Sequence, residues 1–145
     1  MKRTDFKNKG LKTKKLAKQS KMPISRLQRN IWQLCKLLTR KCYGNVCYTC
    51  GSTGLSGSNW HTGHLWAKAS LGAYLKYDLR VLRPQCYNCN INQGGRGADF
   101  YAKMLEEIGE EEMAKLQKDR LVMVKAYDHY LKVLEKYKDV ISRLT

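Results

Sequence analysis

A small α+β fold held together by a metal is what this sequence predicts, and three observations carry that expectation. Two Cys-x2-Cys pairs, Cys47/Cys50 and Cys86/Cys89, stand 35 residues apart. An amphipathic pattern precedes the first pair, and a second helical pattern occupies the chain from Ala98 onward. At 145 residues the chain suits one domain, and 43% hydrophobic content is enough for a core.

Taken in order, residues 1–21 carry nine lysines and arginines and few apolar side chains. They are expected to form a basic, flexible arm in which Lys12, Lys14 and Lys15 can lie along phosphates; a merely solubilising tail is the alternative. Pro23 suits the first turn of a helix. Ile24, Leu27, Ile31, Leu34 and Leu38 then recur at three- and four-residue steps, which predicts a helix over 23–41. Arg26, Arg29, Lys36 and Arg40 are expected on its outer surface. Cys35 and Cys42 are expected to be buried thiols, with Cys42 an alternative metal ligand.

Residues 51–59 are rich in Gly and Ser and read as a loop. The stretch 60–85 has no clean period, so short strands or irregular structure around a small helix are expected. A second turn-rich segment, 92–97, carries Arg96 close to Asn90. A helix capped by Asp99 or a neighbour should run to Ile108 and end at Gly109, and a short acidic helix should follow over 110–116. Leu121 to Leu144 reads as one long helix of roughly 35 Å. Val124, Tyr127, Leu131, Leu134, Ile141 and Leu144 tend to one side of it. That helix, within an element spanning 118–145, is a candidate dimer seam.

Charge narrows the partners. There are 28 Lys and Arg against 12 Asp and Glu, a formal net charge of +16. Up to Tyr77 the only acid is Asp5, so the excess is concentrated in the first half. Such asymmetry fits a polyanion binder, because neutralising phosphates releases counterions. No apolar run approaches the roughly 20 residues that span a bilayer, and the first residues lack the apolar region of a signal peptide. A soluble, intracellular protein with no membrane partner is expected. In a reducing compartment, Cys-x2-Cys pairs are better explained by metal than by disulfides.

Four thiolates give Zn²⁺ a closed tetrahedral shell, so Cys47, Cys50, Cys86 and Cys89 read as a structural zinc site. The 35-residue spacing exceeds that of a zinc ribbon and requires a folded insert. Gly51 suits the tight turn after Cys50. Inside the insert lies Trp60-His61-Thr62-Gly63-His64, and the second pair runs directly into Asn90. His61, His64 and Asn90 can surround a divalent cation and a phosphate, with imidazole as base or ligand. The same histidines can instead complete a zinc ribbon or pack under the tryptophans. From residue types alone, both readings stand.

The stretches Cys47-Tyr-Thr-Cys50-Gly51, Trp60-His-Thr-Gly-His64 and Pro84-Gln-Cys86-Tyr-Asn-Cys89-Asn90 together resemble the NinG (Rap) family of phage recombination endonucleases. The resemblance takes in the helix around Leu27 to Trp32 upstream, and Gly95 to Tyr101 and Ile108-Gly109 downstream, so that it covers about 22–117. It implies a His-Asn-His nuclease domain with a zinc-stapled ββα-metal core, an N-terminal helix and a helical C-terminal region. It implies a divalent-metal-dependent endonuclease that cuts branched DNA, such as Holliday junctions and strand-invasion intermediates, in the cytoplasm of a phage-infected bacterium.

By position, His64 is similar to the general base of that family. Asn90 resembles the residue on the helix side of the metal core, a metal ligand or a support for the base. His61 stands where relatives often have Asp, which makes it the second metal ligand. An imidazole there weakens the case for Mg²⁺ and improves that for Mn²⁺, Ni²⁺ or Zn²⁺. Relatives often show Asn and His before Gln85, where this chain has Val81 and Arg83. Asn92 and Gln93 lie where a third catalytic residue is expected. The implied cut leaves 5′-phosphate and 3′-hydroxyl ends, with the ion on a non-bridging oxygen and the leaving 3′-oxygen. Arg96, Lys68, Lys76 and Arg83 are the candidate phosphate contacts beside the scissile bond.

Two symmetric cuts in a junction suggest a homodimer, and a phage recombinase is a further candidate partner. The rival readings are a non-catalytic zinc-containing DNA-binding accessory protein and a sequence-specific endonuclease.

Overall fold

The structure, a computed structural model, describes residues 21–145. Lys12, Lys14 and Lys15, with residues 1–20 of the expected arm, lie outside the described residues. What is described is a mixed fold: helices around a small two-stranded antiparallel sheet.

Helix α1 spans Ile24–Tyr43. Pro23 stands just before it, not in its first turn, and its carbonyl accepts the N–H groups of Arg26 and Leu27 at 3.0 and 3.1 Å. Leu27, Ile31, Cys35 and Leu38 form the buried stripe, while Ile24, the first residue of the helix, is 44% exposed. Cys42, expected to be buried, is exposed: it continues the same stripe but lies in the last turn of α1, beyond the buried residues.

Strands β1 (His61–His64) and β2 (Leu82–Gln85) pair with His61 opposite Gln85 and His64 opposite Leu82. In a sheet of two strands each strand has a free edge, so Pro84 can sit in β2 without costing a ladder bond. Between them the chain makes short turns and the four-residue helix α2, Ala73–Lys76. This matches the expectation of short strands around a small helix. A Cβ on Gly63 would stand 2.0 Å from Gln85 Oε1, so only glycine permits this approach. Gln85 itself is wholly buried and donates to Thr49 Oγ1 at 3.0 Å and to the Gly95 carbonyl at 2.9 Å. One side chain thus ties the sheet to both flanking loops.

After a helical turn at Asn88–Asn92, helix α3 covers Gly97–Asp119, broken at Gly109 (φ 84°, ψ 168°). The expected helix end at Gly109 and the acidic helix after it are both present, the latter extending to Asp119. Asp99 does not cap the first turn; it ion-pairs with Arg96 at 2.8 Å.

The C-terminal helix differs from the expectation. Helix α4 is Ala126–Leu144, not Leu121–Leu144, and residues 122–125 are non-helical. Its buried face is Tyr130, Leu134 and Tyr137, whereas Leu131 and Leu144 are exposed. Tyr130 and Tyr137 make up most of that face, because a tyrosine ring packs like an apolar residue while its hydroxyl can find a polar partner. Tyr137 donates to the Tyr77 carbonyl in this way. These side chains share one core with Leu27, Ile31, Cys35 and Leu38 of α1. Of the face expected to form a dimer seam, Leu134 is buried in this core, Val124, Tyr127 and Ile141 are half-buried, and Leu131 and Leu144 remain exposed. Among the described residues, no helix is long and apolar enough to cross a membrane.

Candidate functional site

A second, smaller cluster contains Cys47, Cys86 and Cys89 with Leu55 and Trp60. The turn after α1 supplies Cys47 and Cys50, closed by the Gly51 N–H on the Cys47 carbonyl at 2.9 Å. Cys86 follows β2, and Cys89 lies in the turn Asn88–Asn92. All four Sγ atoms lie within 4.8 Å of one another, and Cys50 and Cys86 are 3.8 Å apart. Zinc–sulfur bonds of about 2.3 Å in a tetrahedron give edges of about 3.8 Å. The group could hold a metal such as zinc.

Without an ion, close packing opposes ionising the four thiols together. Burial pushes Cys86 up to about 12, and the neighbouring thiols reinforce the shift. Hydrogen bonds from Ser52 lower Cys50. Four thiolates packed this closely require a cation to offset their charge. The Arg96 guanidinium contributes, with Nη1 3.8 Å from Cys89 Sγ.

Next to this cluster the structure brings His61 and Asn90 together. His61 Nε2 lies 2.9 Å from the Ser58 carbonyl, which can only accept, so Nε2 carries the proton and Nδ1 the lone pair. Asn90 Nδ2 donates to that Nδ1 at 3.1 Å. The Tyr87 ring stands edge-on to the imidazole.

His64 lies two positions beyond Thr62 on the same face of β1, while His61 shares the other face with Gly63. Its Nε2 is 3.0 Å from the Lys76 carbonyl at the end of α2. By the same logic Nε2 donates and Nδ1 holds the lone pair. The ring stacks on Trp32 of α1, with centroids 5.4 Å apart and planes 11° from parallel. Burial, partly opposed by the Lys76 carbonyl, lowers its pKa to about 4, with the charges of Lys68 and Lys76 adding to the shift. His64 is therefore a neutral imidazole at pH 7. It lines a cleft of about 330 Å³ together with Thr62, Lys68, Asn90 and Trp32. Asn90 thus joins the two histidines: its amide contacts His61, and the residue lines the His64 cleft.

The expected phosphate contacts separate. Lys68 lines the cleft, with Nζ 4.3 Å from the Trp32 ring centroid. Lys76 contributes its carbonyl to His64. Arg96 is shared between Asp99 and Cys89. Arg83 corrects the sequence reading: it is 2% exposed and cannot reach a phosphate. Its guanidinium pairs with Glu107 at 3.1 Å and donates to the Leu82 carbonyl at 2.8 Å. Asn92 donates to Asn88 at 3.2 Å, and neither Asn92 nor Gln93 lines the cleft.

A model of the bacteriophage lambda NinG protein family matches residues 1–145, the whole chain. The chain belongs to the NinG family. No curated protein and no solved structure matches it.

Within this NinG-family chain, three contributors to the site were not singled out from the sequence. Trp32 forms a wall for His64, Gln85 braces the sheet, and Thr62 stands on the His64 face with its hydroxyl buried and without a partner. Alternation along His61–His64 would have found Thr62. Trp32 and Gln85 carried no local signal, because their partners are 32 and 36 residues away or lie on another element.

Proposed function

We propose that this chain is a divalent-metal-dependent endonuclease that nicks branched or structured DNA. Membership of the NinG family suggests a phage recombination-related function. The observation that carries the reading is the state of His64: a neutral imidazole with Nε2 tied to a backbone carbonyl and Nδ1 left as a base, in a cleft with Lys68 and Asn90. The order strand, strand, helical turn with Asn90 on the turn supports a ββα-metal core.

In this reading, His64 Nδ1 takes a proton from water as the water oxygen attacks the phosphorus, and the 3′-oxygen leaves opposite it. Lys68 holds a backbone phosphate in the cleft. His61 Nδ1 and the Asn90 amide oxygen, turned toward it, would hold the divalent ion. That ion supplies stabilisation of charge on the phosphate and leaving oxygen. The Ser58 carbonyl fixes the His61 ring so that Nδ1 stays available. Two neutral donors without a carboxylate suit Mn²⁺ better than Mg²⁺. Zinc held by the four cysteines would fix Asn90 in place, because the Asn90 N–H donates to the Cys86 carbonyl at 3.0 Å.

One observation favours the non-catalytic DNA-binding reading: His61 Nδ1 is already satisfied by Asn90. The deciding experiment incubates a synthetic four-way junction and a linear duplex with Mg²⁺ or Mn²⁺. Nicking of the junction that His64→Ala abolishes supports the nuclease. Binding without cutting by the parent protein supports the accessory role, and cutting at one duplex sequence supports a sequence-specific enzyme. A junction cut twice calls for a homodimer, which light scattering would register.

A further inference from the structure

A groove of about 510 Å³ lies between α2 and α4 and shares no lining residue with the His64 cleft. Its charged lining is Asp78, Arg80, Lys132 and Lys136. Asp78 and Arg80 satisfy each other, with the guanidinium on both carboxylate oxygens at 2.9 to 3.2 Å, and Arg80 also reaches Asp119 at 3.0 Å. The two lysines are left over: among the described residues neither is in an ion pair. They stand four positions apart on α4, about 6 Å along the axis. That is the scale on which backbone phosphates succeed one another in an extended strand.

The groove also carries aromatic faces. Tyr74 of α2 and His129 of α4 pack with centroids 5.4 Å apart and planes tilted by 34°, both half-buried. Val133 and Val140 add apolar surface. Two half-buried aromatic rings beside two uncommitted cations fit a base, taken by the outer face of one ring, and the phosphates that flank it. They do not fit a regular duplex, whose bases are stacked on one another.

We infer that this groove binds single-stranded DNA, with a base against the Tyr74–His129 pair and successive phosphates on Lys132 and Lys136. The inference rests on the DNA-binding part of the proposed function and not on catalysis. In a branched substrate the occupant is the unpaired strand next to the branch. The two sites meet on α2, whose Lys76 carbonyl holds His64 while Tyr74 lines the groove.

The test measures binding of a fluorescein-labelled oligothymidylate to the full zinc-loaded chain, as a function of salt and without added Mg²⁺ or Mn²⁺. Replacing both lysines (K132Q/K136Q) should flatten the slope of log K against log salt by about 1.4, which is about 0.7 per lost single-strand contact. Tyr74→Ala should weaken binding on the order of tenfold, and 4-thiothymidine in the oligonucleotide should crosslink to peptides of α2 or α4. An unchanged slope, or crosslinks confined to β1 and the Asn90 turn, overturns the inference. It is also overturned if an acidic peptide binds with dependence on Lys132 and Lys136 while DNA binding ignores them. If junctions are cut with dependence on His64 and the slope does not change, this inference fails alone. If no junction is cut and the slope does change, the nuclease reading fails alone.

Discussion

His64 donates its Nε2 proton to the Lys76 carbonyl at 3.0 Å, a contact that joins β1 to the last residue of α2. It decides which nitrogen can act, while burial, against the pull of that carbonyl, keeps the ring neutral. Above the usual 6.5, His64 is neutral in both folded and unfolded chains. Between 6.5 and about 4, the unfolded chain binds a proton that the folded chain refuses. This group's contribution to stability is therefore complete above pH 6.5 and is lost as the pH falls toward 4. The acid limb of kcat/KM should correspondingly lie well below 6.5, and His64→Ala should lower cutting by at least about a hundredfold. An acid limb centred at 6.5 would count against His64 as the base.

The small cysteine cluster has only Leu55 and Trp60 as further buried apolar members, too few to hold its loops alone. Cys89→Ser should release about one zinc per chain and lower the Tm by about 10 °C or more. Metal analysis and a thermal melt check this. A chelator-treated chain that melts unchanged would show that the cluster does not depend on metal.

Gly63 tests the brace beneath the sheet. With a methyl group 2.0 Å from Gln85 Oε1, Gly63→Ala should cost about 2 to 3 kcal/mol in urea unfolding. Adding Gln85→Ala should recover part of that loss. A neutral Gly63→Ala would mean that the two strands part easily.

His61→Asp exchanges a neutral donor for a carboxylate. Mg²⁺-supported cutting should rise on the order of tenfold relative to Mn²⁺-supported cutting. Activity titrated against each ion provides the comparison, and an unchanged ratio would remove His61 from the ion site.

Arg83→Met leaves Glu107, which is 37% exposed, without its buried partner. A loss of about 1 to 2 kcal/mol is expected, chiefly from the Leu82 carbonyl left without its donor, with no change in the salt dependence of DNA binding. A slope reduced by about 0.9 would instead mark Arg83 as a phosphate contact.

The sequence by itself carried the features whose chemistry is local. Helix α1 was legible from its apolar steps, the helix break at Gly109 from a residue type, and the metal cluster from a spacing in which two cysteines per turn face one ion. The NinG-family motifs, which pointed to His61, His64 and Asn90, were legible in the same way. The environment of those residues came only with tertiary structure. Whether an arginine meets solvent depends on what packs over it, and Glu107, 24 positions away, took Arg83 out of reach of phosphate. The tautomer and neutrality of His64 depend on a carbonyl of α2 and on the Trp32 ring. The core of α4 depends on tyrosines, of which Tyr137 finds its partner in the Tyr77 carbonyl, 60 positions away. Periodicity and spacing register a side chain's type and position; burial and hydrogen bonding depend on residues that are distant in sequence.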